Sequence, residues 1–331
     1  MLNPDAKLSE KIFTDAIDKA PTRDGFGKGV VEAGKKDERV VVFSADLADS
    51  VRAEWFKKEF PERFVEVGVA EQNLATVAAG MANYGKIPFI TSYAAFSPGR
   101  NYEQIRTTIA LNDVPVKVCG MHAGVSVGPD GATHQMLEDV ALMRALPNMT
   151  VVVPGDAEEG RKATFAAAFT GKPAYLRFGR DKEPIFTSAE TPFAIGKAYY
   201  LWKPEKKPQV AIIGCGSLLY EALKAAAQLE GEGIAVSVVN SHTVKPLDEA
   251  TILAAAKEAG AVVTVEEHQV TGGLGGAVAE FLAKHYPVPM RFIGVQDRFG
   301  QSGESKELFK EYGLLAENIA AAARGLATLS Q

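Results

Sequence analysis

The chain has 331 residues, 47% of them apolar and 23% charged, with a net charge of −5 at neutral pH. That length is enough for about two domains with substantial cores, and the acid excess argues against a nucleic-acid-binding or polybasic membrane role. No apolar run approaches the ~18 residues needed to span a bilayer, and the polar, mixed-charge start MLNPDAKLSEKIFTDAI is not a secretory signal.

From about residue 8 to 180, apolar strand candidates alternate with helical stretches. The strands are VVVFSAD (40–46), FVEV (64–67), PFITSY (88–93), VKVCGM (116–121), TVVVP (150–154) and AYLRF (174–178), with helices near 24–35, 70–84, 100–112, 136–145 and 156–169. Continuous Val/Ile/Phe runs joined by helical crossovers predict a parallel sheet covered on both faces. The stretch 181–209 is rich in Pro, Lys and Glu and lacks helical periodicity, so we read a linker over 186–208. A second alternation follows: VAIIG (210–214), a helix over 217–231, AVSVVN (235–240), a helix over 248–258, AVVTVEE (261–267), a helix over 274–285 and MRFIGV (290–295). The expected fold is α/β, with two tandem domains at 1–185 and 209–331, each a mostly parallel sheet flanked by helices. Cys119 and Cys215 lie in apolar stretches and read as buried thiols, in keeping with a reducing cytoplasm and giving no metal site.

Several segments carry possible chemistry. Glu71 falls in the first turn of the helix after the strand 64–67, where unpaired amides favour negative charge. It can act as a proton-relay carboxylate on a rigid corner or simply as a cap. The turn Gly214-Cys215-Gly216 resembles the start of a dinucleotide fingerprint, but Leu219 stands at the third glycine position and no acid closes the next strand, which ends in Asn240. A tight strand-to-helix turn accounts for it. The run 272–276 (GGLGG) can bind phosphate or serve as a close-packed helix start. The loop from His122 to His134 holds two of the chain's five histidines, with Asp130 between them, at the carboxyl end of a strand. A histidine beside a carboxylate can trade protons near neutral pH; the alternative is a polar surface loop. Tyr93 and Phe96, at the end of another strand, are core residues or an apolar slot for a flat ring.

Taken together, the segments PTR (21–23), SADLADS (44–50), GVAEQN (68–73), TSYAAF (91–96), HAGVSVGPDGATHQ (122–135), RFGRDKEP (177–184), VEEHQVTGGLGG (265–276) and GVQDRFGQSG (294–303) resemble the carboxyl-terminal half of transketolase. The resemblance covers almost the whole chain. It implies a pyrimidine-binding domain of the thiamine diphosphate enzymes followed by a transketolase carboxyl-terminal domain. It further implies that Glu71 hydrogen-bonds the cofactor's aminopyrimidine ring as a protonated carboxyl and promotes loss of the thiazolium proton. Tyr93 and Phe96 match the pyrimidine pocket, and Asp46 matches an aspartate near the thiazolium. His134 lies near the reactive carbon, and His122 and Asp130 match residues that hydrogen-bond sugar hydroxyls. Arg23, Ser50 and Arg180 match a substrate-phosphate site.

A complete transketolase also carries a diphosphate-binding domain with a Gly-Asp-Gly motif and a later Asn for Mg²⁺ or Ca²⁺. The Asp-Gly pairs here, Asp24-Gly25 and Asp130-Gly131, do not form that motif. The resemblance therefore implies the carboxyl-terminal subunit of a split transketolase in the cytoplasm, moving a two-carbon ketol unit between sugar phosphates of pentose phosphate metabolism. An N-terminal subunit would hold the diphosphate and metal, in a two-plus-two heterotetramer whose dimer interface this chain helps form. Rival readings are a deoxyxylulose phosphate synthase-like or pyruvate dehydrogenase beta-like subunit, a non-catalytic scaffold, and a nicotinamide-dependent dehydrogenase.

Overall fold

The computed structural model describes residues 1–328. Its first sheet has seven strands in the spatial order Thr243–Lys245, Thr150–Val152, Ala174–Arg177, Lys117–Met121, Ile87–Tyr93, Val40–Ser44 and Phe64–Glu66. All neighbours are parallel except Thr243–Lys245, which runs antiparallel to Thr150–Val152. Every residue of Val40–Ser44 and Lys117–Met121 is buried, as expected of central strands covered by helices on both faces. The second sheet has five strands, ordered Met290–Val295, Val262–Gln269, Val210–Gly214, Val236–Asn240 and Tyr199–Trp202. Again the last strand alone is antiparallel to its neighbour. The architecture is the expected α/β one, with two mostly parallel sheets flanked by helices.

Several local features differ from the sequence reading. The segment 186–208, expected as a linker, contains the strand Tyr199–Trp202, whose Tyr-Tyr-Leu-Trp run suits a half-buried sheet edge. Thr243–Lys245, from the second half of the chain, extends the first sheet. The helix expected over 100–112 is α-helical at Tyr102–Gln104 and π-helical at Ile105–Ala110. There the Leu111 N–H reaches back to the Arg106 carbonyl, while the Thr107 and Thr108 hydroxyls donate to the carbonyls of Glu103 and Gln104. Helices Ala53–Glu59, Ser305–Glu311 and Ala316–Ala327 were not anticipated.

The helix Thr22–Lys36 lies backbone to backbone on Ala157–Ala168. A β-carbon on Gly25 would sit 2.1 Å from the Ala157 carbonyl oxygen, and one on Gly29 2.5 Å from that of Arg161. This close approach brings the start of the first helix, with Arg23, to the carboxyl edge of the sheet. Among the described residues, no helix is long and apolar enough to cross a membrane.

Candidate active site

The candidate residues converge because parallel strands deliver their following loops to one edge. Val40–Ser44 leads to Asp46 and Ser50, Phe64–Glu66 to Glu71, and Ile87–Tyr93 to Phe96. Lys117–Met121 leads to the loop His122 to His134, and Ala174–Arg177 leads to Arg180.

Glu71 is the first residue of the helix Glu71–Asn83, and its side chain is almost fully buried. It does not cap that helix. Its Oε2 instead accepts a hydrogen bond from the Arg100 Nη1 at 2.6 Å, and its backbone carbonyl accepts one from the buried Asn101 Nδ2 at 2.8 Å. The Arg100 guanidinium also lies 4.8 Å from the centre of the Phe96 ring. A flat, nitrogen-bearing cation is thus held between an aromatic face and a buried carboxylate.

Beside it stands an aromatic cluster. The rings of Tyr93 and Phe96 are stacked with centroids 5.9 Å apart, and Tyr93 lies 3.9 Å from His122. His134 approaches Phe96 edge-on at 5.5 Å, and its Nδ1 is 2.9 Å from the Thr133 hydroxyl.

His122 is buried, with its Nε2 2.9 Å from Arg23 Nη1. A guanidinium can only donate, so Nε2 accepts and the ring proton sits on Nδ1. That Nδ1 is buried and has no hydrogen-bond partner. Burial, reinforced by the nearby charges of Arg23, Arg180 and Arg52, pushes the His122 pKa down to about 3. His122 is therefore neutral at physiological pH and is not a carboxylate-paired histidine that trades protons near neutrality. Asp130 faces Arg180 at 3.9 Å, and among the described residues no ion pair joins it to either histidine.

Arg23 Nη1 donates to the Ser50 carbonyl at 2.7 Å, and Arg180 Nη1 to the Val127 carbonyl at 2.7 Å. Burial and then the positive charge of Arg52 lower the Arg23 pKa, with Arg180 adding to the effect. Three guanidinium groups therefore converge on one region, and an anion there would relieve their repulsion. Arg52 was missed from sequence, as was Arg100. Arg52 is anchored by its Nε donating to Asp24 at 2.7 Å. Asp46, Arg52 and His122 all adopt left-handed backbone, with φ of 59°, 65° and 54°. Such conformations cost about 1–3 kcal/mol each and cluster at functional sites. Asp46 is exposed, and its N–H donates to Glu66 Oε1 at 2.7 Å.

The two glycine runs hold no comparable site. Gly216 has φ of 72° in a tight strand-to-helix turn. The amides of Leu274 and Gly275, at the start of the second glycine run's helix, are taken by the Glu266 carboxylate at 2.7 and 2.8 Å.

Residues 18–184 match the pyrimidine-binding domain of transketolase, and residues 199–319 match the transketolase C-terminal domain. The chain belongs to the transketolase family. A solved structure described as a split gene transketolase, inactive beta4 tetramer, is 44% identical, with a TM-score of 0.87 over 94% of this chain and 99% of that one. The 6-deoxy-6-sulfo-D-fructose transketolase subunit SqwH of Clostridium sp. (strain MSTE9) is 40% identical, covering 91% of this chain and 92% of its own length. Human transketolase is 37% identical over 94% of this chain, which spans 50% of that longer protein. Within this transketolase-family chain, the aromatic and histidine cluster, Glu71 and the three guanidinium groups all belong to the pyrimidine-binding half.

Proposed function

We propose that this chain is the carboxyl-terminal subunit of a thiamine diphosphate-dependent transketolase, moving a two-carbon ketol unit between sugar phosphates. The observation that carries the reading is Arg100, whose guanidinium lies over the Phe96 ring while its Nη1 donates to the buried Glu71. The guanidinium occupies the environment that a planar, nitrogen-bearing pyrimidine ring needs: an aromatic face on one side and a carboxylate at its edge. Arg100 yields to that ring by turning outward, its side chain being already 43% exposed. Thiamine diphosphate supplies, when bound, the electron sink for the two-carbon carbanion.

Glu71 then hydrogen-bonds the ring, and Phe96 and Tyr93 stack against it. Asp46 would stand near the thiazolium ring. His134, half-buried and edge-on to Phe96, gives and takes the proton of the substrate hydroxyl at the reacting carbon. Neutral His122 and Asp130 are placed at the sugar hydroxyls. Arg23, Ser50 and Arg180 receive the phosphate, with Arg52 reinforcing the positive field.

The diphosphate and its Mg²⁺ or Ca²⁺ are held mainly by an N-terminal partner subunit, so the active site forms between chains. Support comes from the match to half of a full-length transketolase and from exposed apolar side chains at both ends of the helix that carries Glu71. Val69 is 71% exposed and Tyr84 89% exposed, at the two ends of the helix Glu71–Asn83. We place two copies of each subunit in the assembly, working in the cytoplasm. The decisive assay mixes this chain with its partner and thiamine diphosphate and compares xylulose 5-phosphate plus ribose 5-phosphate against pyruvate. Ketol transfer by the mixture, with none by the chain alone, is the expected result. Steady activity without a partner, or turnover of pyruvate only, overturns the proposal.

A further inference from the structure

The second domain carries three consecutive buried ionisable residues in the strand Val262–Gln269, and each has a different task. Glu266 stays within its own domain and accepts from the Leu274 and Gly275 amides. His268 Nδ1 donates to the Gln269 carbonyl at 2.7 Å. Glu267 crosses the seam between the domains. Its Oε1 accepts the backbone N–H of Ser126 at 2.7 Å, and its Oε2 lies 3.4 Å from the Ser217 hydroxyl.

Ser126 belongs to the His122 to His134 loop, in its 3-10 segment Val125–Asp130. The loop leaves room for the visiting carboxylate. A β-carbon on Gly124, which has φ of 92°, would sit 2.2 Å from Glu267 Oε1. One residue beyond Ser126, the Val127 carbonyl accepts from Arg180. A single residue step therefore links the Glu267 carboxylate to the guanidinium nearest Asp130. The same segment is tied to the second domain from below. Gln135 Nε2 lies within 3.0–3.2 Å of the carbonyls of Val125, Gly128 and Gln301. Buried Arg177, whose charge is felt by Glu267, supplies part of the counter-charge that lets a carboxylate reside there.

We infer that Glu267 is a positioning residue for sugar-phosphate binding: supplied by the second domain, its carboxylate fixes the Ser126–Val127 backbone and, through it, the Arg180 guanidinium. The inference rests on the ketol-transfer reading above. The second domain thus acts on specificity without touching substrate.

The test uses the assembled complex, with E267A, E267D, E267Q and S217A. E267D keeps the charge but withdraws the carboxylate by one methylene, so it loses the Ser126 bond while still balancing Arg177. E267Q keeps a carbonyl acceptor on a side chain of the same length. E267A and E267D raise the KM for a phosphorylated ketose about tenfold, the size of a hydrogen bond to a charged acceptor, with kcat within about twofold. The kcat/KM for an unphosphorylated ketose changes little, E267Q restores most of the loss, and S217A matches the wild type. An unchanged KM in E267A and E267D, or equal losses for both substrates, overturns the inference. An inactive wild-type complex overturns the ketol-transfer reading instead. Calorimetric titration of the chain with inorganic phosphate then decides this one: binding weakened in E267D and restored in E267Q supports it, and binding unaltered in E267D refutes it.

Discussion

Lys117 offers a perturbation whose size can be worked from the structure. It is the first residue of the central strand Lys117–Met121, with no exposed surface, and its ammonium donates to the Lys172 carbonyl. Burial brings its pKa down from 10.5 to about 7. At about 1.4 kcal/mol per pH unit, that difference corresponds to roughly 4–5 kcal/mol. The sign follows from proton counting. Between pH 7 and 10.5 the unfolded chain holds a proton that the folded chain has released, so stability rises with pH across that window, and the full cost is present below pH 7. Lys117→Met replaces the ammonium with an apolar chain of similar length and loses one hydrogen bond worth about 1 kcal/mol. The variant should be more stable than wild type by about 3 kcal/mol at pH 6, with the gain vanishing towards pH 10. For a chain of this size that is a Tm higher by roughly 4–6 °C. Thermal and urea unfolding of both proteins from pH 6 to 10 measure it. Equal pH slopes, or a less stable variant at pH 6, would refute the reasoning.

Three further outcomes are expected. Glu71→Ala in the assembled complex should abolish ketol transfer while the far-UV circular dichroism stays native; a fully active variant would favour a non-catalytic subunit. Arg100→Met removes the occupant between Glu71 and Phe96, an ion pair worth about 1 kcal/mol, so thiamine diphosphate should bind the complex about fivefold more tightly by calorimetry; weaker binding would mean that Arg100 helps to hold the cofactor. Gly273→Ala would put a β-carbon 2.0 Å from Glu266 Oε2 and displace the carboxylate that holds the start of the helix Leu274–His285, costing about 3 kcal/mol in urea unfolding.

The central strands were legible because burial on both faces writes itself as unbroken apolar runs such as Val40–Ser44. Thr243–Lys245 was not, because three residues carry no period and their place is set by a partner strand some ninety residues earlier. The π-helical turn at Ile105–Ala110 escaped for a similar reason: its apolar spacing is compatible with an ordinary helix, and threonine back-bonding leaves no mark on a hydrophobic pattern. At the site, residue types and loop positions pointed to Glu71, Tyr93, Phe96 and the two histidines. The pairings were hidden. Pro98 and Gly99 precede Arg100 in the sequence, but nothing there shows the chain returning it to a carboxylate 29 positions away. Likewise the sequence places Asp130 between the two histidines of the 122–134 loop, whereas the fold gives His122 to Arg23 on a distant helix. Such contacts belong to tertiary packing and overrule local expectation.

The strand Thr243–Lys245 makes the two family domains poor modules. A cut anywhere in 186–208 would leave the Thr150–Val152 edge bare, exposing a row of unpaired backbone groups that invites aggregation. Neither half should then be separately expressible in soluble form, and exchange of carboxyl-terminal domains between relatives would have to carry residues 243–245 along with a matching edge to receive them.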